Sequence, residues 1–417
     1  MTDIEKTPPA RLKRLGADLA VIRELNRTLV LDVIKAQGKV SRSTIAQLTS
    51  LAKPTVSIIV DGLIAEGRVR EVGRGVATTS GGRPPTLLQF DASSQYVAAV
   101  HIGTQTITVV VSDASGEEMA RHRMDTLTLP AEDNLKRIAR AVKSTARATG
   151  RHVKRLTALG VSIPGLTDFH AGTCILAPNL GWHDVPVRDA LSALLDLPVF
   201  VHNLSQAAVV AEAVEGAAKD EADVVLLYCG GGVGAGILSN GRLLHGSGGL
   251  AGEIGHCRVP GASDRCSCGN VGCLETIAAA RALSGNVRRA VSAGRKTSLA
   301  HKTRRELTPT VIRQAAEAGD EVAKEAIGSV GRALGLGASW LANLFAPAVL
   351  VVAGGLAELG EFLLEPLRST LEEMAVAPSA QPLDVRVSQL GQDAEIRGAV
   401  FLALQQSETY YRVVFQG

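Results

Sequence analysis

The sequence predicts an α/β protein: a small winged helix-turn-helix head followed by a body of two similar α/β lobes. Three observations carry this. Helical apolar spacing broken by a tight turn occupies residues 17–64, and a strand hairpin with a glycine turn occurs twice, at residues 96–119 and 223–245. Basic residues are also unevenly placed. The first 88 residues hold fourteen Lys/Arg against eight Asp/Glu, and the remainder hold thirty against thirty-three. The 417-residue chain is 46% hydrophobic and 20% charged, a balance that supports packed cores rather than disorder. Aromatic residues make up 3%, too few to stack successive bases of a single strand.

In the head, apolar residues recur from Ala17 to Gln37 at Leu19, Ile22, Leu25, Leu29, Val30, Val33 and Ile34, one helical face that Gly38 ends. Ser41 can cap a second helix with Ile45, Ala46 and Leu48 inward. After a turn at Thr49–Ala52, Pro54 opens a third helix at a position where its missing N–H costs nothing. Val56, Ile59, Val60, Leu63 and Ile64 form the buried face of that helix. Arg42, Lys53, Thr55 and Ser57 are the candidate DNA contacts here, because the second helix of a helix-turn-helix enters the major groove by its N-terminal end. Two strands, Arg68–Gly73 and Thr86–Phe90, would flank a Gly-rich wing. Its Arg74 and Arg83 suit phosphates or a narrow minor groove. A three-helix bundle used for protein contacts would share the helices but would not need the polar front or the basic excess.

In the body, each repeated hairpin is followed by helical stretches, so the duplication implies two lobes facing a cleft. Gly230–Gly236 and Gly354–Gly355 would either bring backbone N–H groups to a phosphate or simply permit close packing. The uncharged stretch Ala333–Ala357 raises the transmembrane question. Asn343, Pro347 and four glycines within it favour a core helix stopped near Pro347 and then a buried strand, Ala348–Ala353. The opening MTDIEKTPPARLKR mixes charges and has no apolar run, so a cytoplasmic protein without a membrane partner is expected.

The most specific segment is GLAGEIGHCRVPGASDRCSCGNVGCLET. His256, Cys266, Cys268 and Cys273 supply one imidazole and three thiolates, a closed tetrahedral set for structural zinc, with no open position for a catalytic water. Reduced surface cysteines are the plain alternative. Glu253 and Glu275 flank this loop, where fixed carboxylates could accept hydrogen bonds from sugar hydroxyls or could merely be solvated. His256 could bridge, one ring nitrogen on the metal and the other on a ligand. Upstream, Ile163-Pro-Gly, Ala177-Pro-Asn-Leu and His202-Asn203 end apolar strands with polar groups.

With these residues in view, the chain resembles the ROK family, which groups sugar-responsive repressors with sugar kinases. The motifs are SRSTIAQLTSLAKPTVS, GGRPPTLL, IPGLTD, APNLGW, GGGVGAGILSNGRLLHGSGGLAGEIGH and CSCGNVGCLE. The resemblance implies a two-lobed actin-like ATPase (ribonuclease H-like) body that assembles as dimers or tetramers. It implies zinc at the four named residues and a sugar site of Asn179, Asn203, Glu253, His256 and Glu275. Two departures stand out. Where family kinases have an Asp that organises metal and phosphate, this chain has His101; where they have the Asp that deprotonates the sugar, it has Leu204. The expected protein is therefore a regulator whose pseudo-palindromic operator is released by a sugar effector. An ATP-dependent sugar kinase and a regulator answering to a protein partner are the alternatives. The expected divisions are residues 1–88 for the head, 89–205 for the first lobe and 206–417 for the second.

Overall fold

A computed structural model describes residues 19–75, 84–150, 153–376 and 383–406. Its contacts divide the chain into one unit that runs to Gln95 and another, Tyr96–Gln405.

The first unit comprises α1 (Leu19–Gln37), β1 (Val40–Ser41), α2 (Arg42–Thr49), α3 (Lys53–Ala65), β2 (Val69–Arg74) and β3 (Thr86–Phe90). Ser41 caps α2, its hydroxyl accepting from Thr44 N at 3.1 Å. Ser50 takes the left-handed conformation (φ 56°) that ends α2, and Pro54 sits in the first turn of α3. The chain turns through 119° between the two helices, as in a helix-turn-helix. Val30, Leu31, Ile34, Ile45, Val56, Val60 and Leu63 close the core together with Leu88 of β3. β3 lies between β1 and β2, antiparallel to both, and forms the base of the wing.

One expectation for this core fails, the inward placement of Leu48. Leu48 is 55% exposed: α2 has barely two turns, and Ile45 and Ala46 already fill its inward face. Ile22, Leu25 and Leu29 on α1 are 40–45% exposed, because only the C-terminal half of α1 meets the other helices through buried residues.

The second unit repeats one plan. β4 (Tyr96–Ile102), β5 (Thr106–Asp113) and β6 (Glu118–Asp125) form an antiparallel meander. After α4 (Ala131–Ala148), β7 (Leu156–Ile163) joins β4 in parallel. A small antiparallel sheet follows, of β8 (Leu166–Asp168), β9 (Thr173–Ala177) and β10 (Trp182–Val185). Then come α5 (Val187–Leu195), β11 (Val199–Asn203) and α6 (Leu204–Glu215), giving the sheet order β11-β7-β4-β5-β6. The second lobe starts again with β12 (Val224–Cys229), β13 (Val233–Ser239) and β14 (Arg242–Leu243). The metal-loop sequence and the helices α7 (Glu275–Ala278), α8 (Ala280–Ser292), α9 (Pro309–Glu317) and α10 (Glu321–Phe345) follow. β15 (Val349–Ala353), α11 (Glu361–Met374), β16 (Asp384–Val387) and α12 (Ala394–Gln406) complete the lobe, with sheet order β14-β13-β12-β15-β16. In each lobe a three-strand meander is therefore extended by two parallel strands. The uncharged stretch is the end of α10 followed by β15, and among the described residues no single helix is long and apolar enough to cross a membrane.

α12 joins the lobes. Ile396, Ala399, Val400 and Ala403 bury against Val97, Ala99, Val110, Ala158 and Phe200 of the first sheet. Ala394 and Leu402 pack with Ala207, Val224 and Val349 on the second-lobe side. Backbone meets backbone at both contacts. A Cβ on Gly160 would lie 2.0 Å from Ala399 O, and one on Gly398 would lie 1.8 Å from Ala207 O.

Candidate metal centre and effector site

The donor atoms of His256, Cys266, Cys268 and Cys273 all lie within 4.8 Å of one another. His256 Nδ1 is 3.6 Å from Cys266 Sγ, and Cys268 Sγ is 3.7 Å from Cys273 Sγ. A tetrahedron with metal–sulfur bonds of about 2.3 Å has edges of about 3.8 Å, so the set is already spaced for one ion. The loop reaches this shape through bridges Arg258↔Cys273 and Arg265↔Val271, with Gly269 (φ 95°) and Gly272 (φ 77°) turning the chain. Burial, then hydrogen bonding to neighbouring Cys268, pushes the Cys273 thiol up to about 12, and a divalent cation would reverse that by stabilising the thiolates.

The two glutamates stand beside this cluster. Glu253 Oε2 is 3.7 Å from His256 Nε2, so the imidazole has its Nδ1 toward Cys266 and its Nε2 toward Glu253. Glu275 Oε2 accepts from Val233 N at 3.1 Å, while its Oε1 lies 3.8 Å from Cys266 Sγ. Burial, and secondarily the Glu275 charge, raises the Glu253 carboxyl to about 7. The glycine turn is thus used for close approach to a carboxylate. A Cβ on Gly232 would sit 2.8 Å from Glu275 Oε2, and one on Gly255 would sit 2.1 Å from Val233 O.

From the first lobe, Asn203 caps α6, its Oδ1 accepting from Ser205 N and its Nδ2 donating to Gly165 O, both at 2.8 Å. Leu204 beside it is half-buried. Ser205 packs on β13, where a Cβ at Gly234 would be 2.8 Å from its hydroxyl; this brings the start of α6 to the strand that also contacts Gly252, just before Glu253. Asn179 stands apart, exposed on the turn between β9 and β10, with no side-chain hydrogen bond among the described residues. His101 Nδ1 lies 3.2 Å from Ser162 Oγ across the β4–β7 pair, and burial lowers the imidazole to about 4, so it is neutral at pH 7.

In the head, Lys53 and Arg74 are exposed, and Thr55 and Ser57 are half-exposed at the front of α3. Arg42 is already engaged: its guanidinium pairs with Asp61 at 2.8 Å and donates to Ser57 O at 3.3 Å, bracing α2 against α3. Arg83 lies outside the described residues.

Two features escaped the sequence reading. Ile58, 74% exposed on α3 directly after Ser57, offers apolar contact of the kind a thymine methyl accepts. His245, on the segment leading to Glu253, stacks on Phe169 of the first lobe with ring centroids 4.1 Å apart, and Phe169 also lies 4.9 Å from His202. The signal available for Ile58 was its position in the Ile58-Ile59-Val60 run, of which a helix can bury only one side. His245 carried none, since its partner is remote in the chain.

A winged helix-turn-helix followed by a duplicated two-lobed body with a His/Cys₃ loop defines a class in which a kinase-type body is joined to a DNA-binding head. The chain belongs to the ROK family, whose model matches residues 97–406. It is 31% identical over 386 residues to the xylose repressor of Caldicellulosiruptor bescii, covering 92% of this chain and 96% of that one. The crystal structure of a ROK family transcriptional regulator, a homologue of the E. coli MLC protein, superposes with a TM-score of 0.83 at 26% identity, covering 94% and 98% of the two chains. A ROK family glucokinase from Streptomyces griseus, in complex with glucose and AMPPNP, superposes with a TM-score of 0.65 at 31% identity and covers 74% of this chain and 99% of its own. The body therefore has the two-lobed, actin-like ATPase fold.

Proposed function

We propose that this chain is a sugar-responsive transcriptional regulator, a cytoplasmic repressor of carbohydrate uptake or catabolism genes. The observation that carries the reading is the extent of the likeness: it runs nearly end to end with a repressor, and with a glucokinase it covers only about three quarters of the chain. The residues agree. Leu204 cannot take a proton from a sugar hydroxyl, and neutral His101 cannot organise a metal–phosphate group as a carboxylate would.

Residues 1–88 would bind the operator, with Lys53, Thr55 and Ser57 reading bases and Arg74 and Arg83 on the backbone or minor groove. Arg42 would position α3 through Asp61. Residues 89–205 and 206–417 would form the two lobes, with Asn179 and Asn203 on one side of the effector and Glu253, His256 and Glu275 on the other. His256, Cys266, Cys268 and Cys273 would hold zinc, which neutralises the thiolates and pins the loop between Glu253 and Glu275. A sugar touching both lobes favours one arrangement of them, and any difference in operator affinity between arrangements becomes the response. Two heads in a dimer or tetramer would match a pseudo-palindromic site.

The test is operator binding by fluorescence anisotropy across a panel of monosaccharides, with ADP release followed in parallel. Sugar-dependent loss of DNA binding without ADP supports the reading. Sugar-dependent ADP release above background rejects it in favour of the kinase.

A further inference from the structure

We propose that the groove between α8 and α10 is a second ligand site, one that takes the phosphate monoester of a small phosphorylated metabolite. The cavity measures about 350 Å³, within the range of small-molecule sites. Three guanidiniums line it, those of Arg289, Arg295 and Arg332, against one carboxylate, Glu325. Arg295 and Glu325 satisfy each other through paired hydrogen bonds, one of them 2.9 Å from Nη2 to Oε1. Two positive charges are left over. Arg289 donates only to the Asn286 amide oxygen, at 2.5 Å, and Arg332, though its charge also acts on Glu325, makes no hydrogen bond or ion pair among the described residues. Ser329, one turn before Arg332, adds a hydroxyl to the same wall.

The body as a whole carries more acid than base, yet residues 296–305, which continue the chain from Arg295, hold four lysines and arginines and no acidic residue. Guanidinium forks match phosphate oxygens in pairs, which makes a dianionic phosphate the ligand of choice. The cavity leaves room for the rest of a metabolite, and Glu325 within the lining disfavours a continuous polyanion such as a nucleic-acid strand.

Both walls lead to the effector glutamates. α8 follows directly on α7, which begins at Glu275. α10 packs at Gly337 against the neighbours of both carboxylates, where an added Cβ would lie 2.6 Å from Leu274 Cδ2 and 3.9 Å from Ile254 Cγ1. Arg332 stands five residues before Gly337, about 7.5 Å along the helix. An anion that draws α8 and α10 together therefore acts on the backing of Glu253 and Glu275. This coupling, unlike the binding, rests on the effector reading above.

The experiment is calorimetry on the full-length, zinc-loaded protein with glucose 6-phosphate, glucose and inorganic phosphate, using wild type, Glu253→Gln and the double variant Arg289→Ala/Arg332→Ala. Glucose 6-phosphate binding should persist in Glu253→Gln and weaken at least about tenfold in the double variant, whose melting temperature and zinc content should match wild type. Glucose 6-phosphate binding that is lost in Glu253→Gln yet intact in the double variant would place all of it in the effector cleft and overturn the second site, leaving the regulator reading untouched. Tighter binding of a thymidine oligonucleotide than of glucose 6-phosphate, lost in the same double variant, would equally overturn it. Absence of any response to free sugars, with phosphate-dependent binding retained, would remove the effector reading and leave this site standing.

Discussion

Replacing Cys268 by serine tests the metal centre most directly. The thiol lies 3.7 Å from Cys273 Sγ, the spacing of one tetrahedral edge, and its substitution removes one of four donors. A serine hydroxyl is not ionised near pH 7 and is a poor replacement for a thiolate. Structural zinc sites contribute on the order of 10–16 kcal/mol, so one ligand in four corresponds to roughly 3 kcal/mol, or about a hundredfold in zinc affinity. Because zinc would bind only the folded loop, the loss should also appear as a lower melting temperature at limiting zinc. Competition against a chromophoric chelator gives the affinity, elemental analysis the stoichiometry and differential scanning calorimetry the stability. The response to sugar should fall as well, since Leu274 and Glu275 follow Cys273 directly. One zinc per chain held with undiminished affinity in Cys268→Ser would refute the four-ligand assignment.

Three further outcomes are expected. Arg83→Ala should weaken operator binding by roughly 1–2 kcal/mol without lowering the melting temperature; unchanged affinity at moderate salt would remove the wing from the interface. Leu204 should favour effectors that place a hydrogen or an apolar substituent against it, because a sugar hydroxyl left unpaired there costs ~1–3 kcal/mol. Calorimetry should thus rank xylose or a deoxy sugar above glucose, and Leu204→Asp alone should yield no sugar phosphorylation while His101 remains. Finally, burial holds the Glu395 carboxyl at about 7, above its ordinary 4.5, so the native state binds the extra proton. Stability should therefore fall as pH rises from about 4.5 to 7, by on the order of 3 kcal/mol, and Glu395→Gln should flatten that slope in denaturant melts. An unchanged slope would mean the carboxyl ionises freely.

What the sequence made legible and what it hid follow a physical line. Local codes were readable: the Ser41 cap, the Pro54 helix start, the repeated hairpins and a ligand set closed within residues 256–273. Each depends on neighbours in the chain. The apolar stripe on α1 is legible as one face, but periodicity does not say how much of that face is covered, and Ile22, Leu25 and Leu29 are 40–45% exposed while Val30, Leu31 and Ile34 are buried. The sequence offers Arg42 as a DNA contact but does not show its partners, Asp61 and the Ser57 carbonyl, which meet it only after α2 and α3 pack. For the glycine-rich turn the sequence leaves phosphate binding and close packing both open; the fold shows close packing at Gly232 against Glu275 and at Gly236 against the Ser205 backbone. The Phe169–His245 stack and the groove between α8 and α10 draw on segments far apart in the chain.

The helix wedged between the lobes also sets an order of events during synthesis. The underside of the first sheet, built from strands that begin at residue 96, is covered by residues from 394 onward. The head can complete its own core as soon as β3 emerges, because that core draws only on residues 30–90. The first lobe has no such independence: Val97, Ala99, Ala158 and Phe200 remain bare until Ile396–Ala403 have been made. Pairings this distant close slowly and leave apolar sheet surface open meanwhile. A ribosome-bound chain should thus carry a folded head well before it carries a finished body, and a chain cut short of α12 should bind chaperones or aggregate through that bare sheet face.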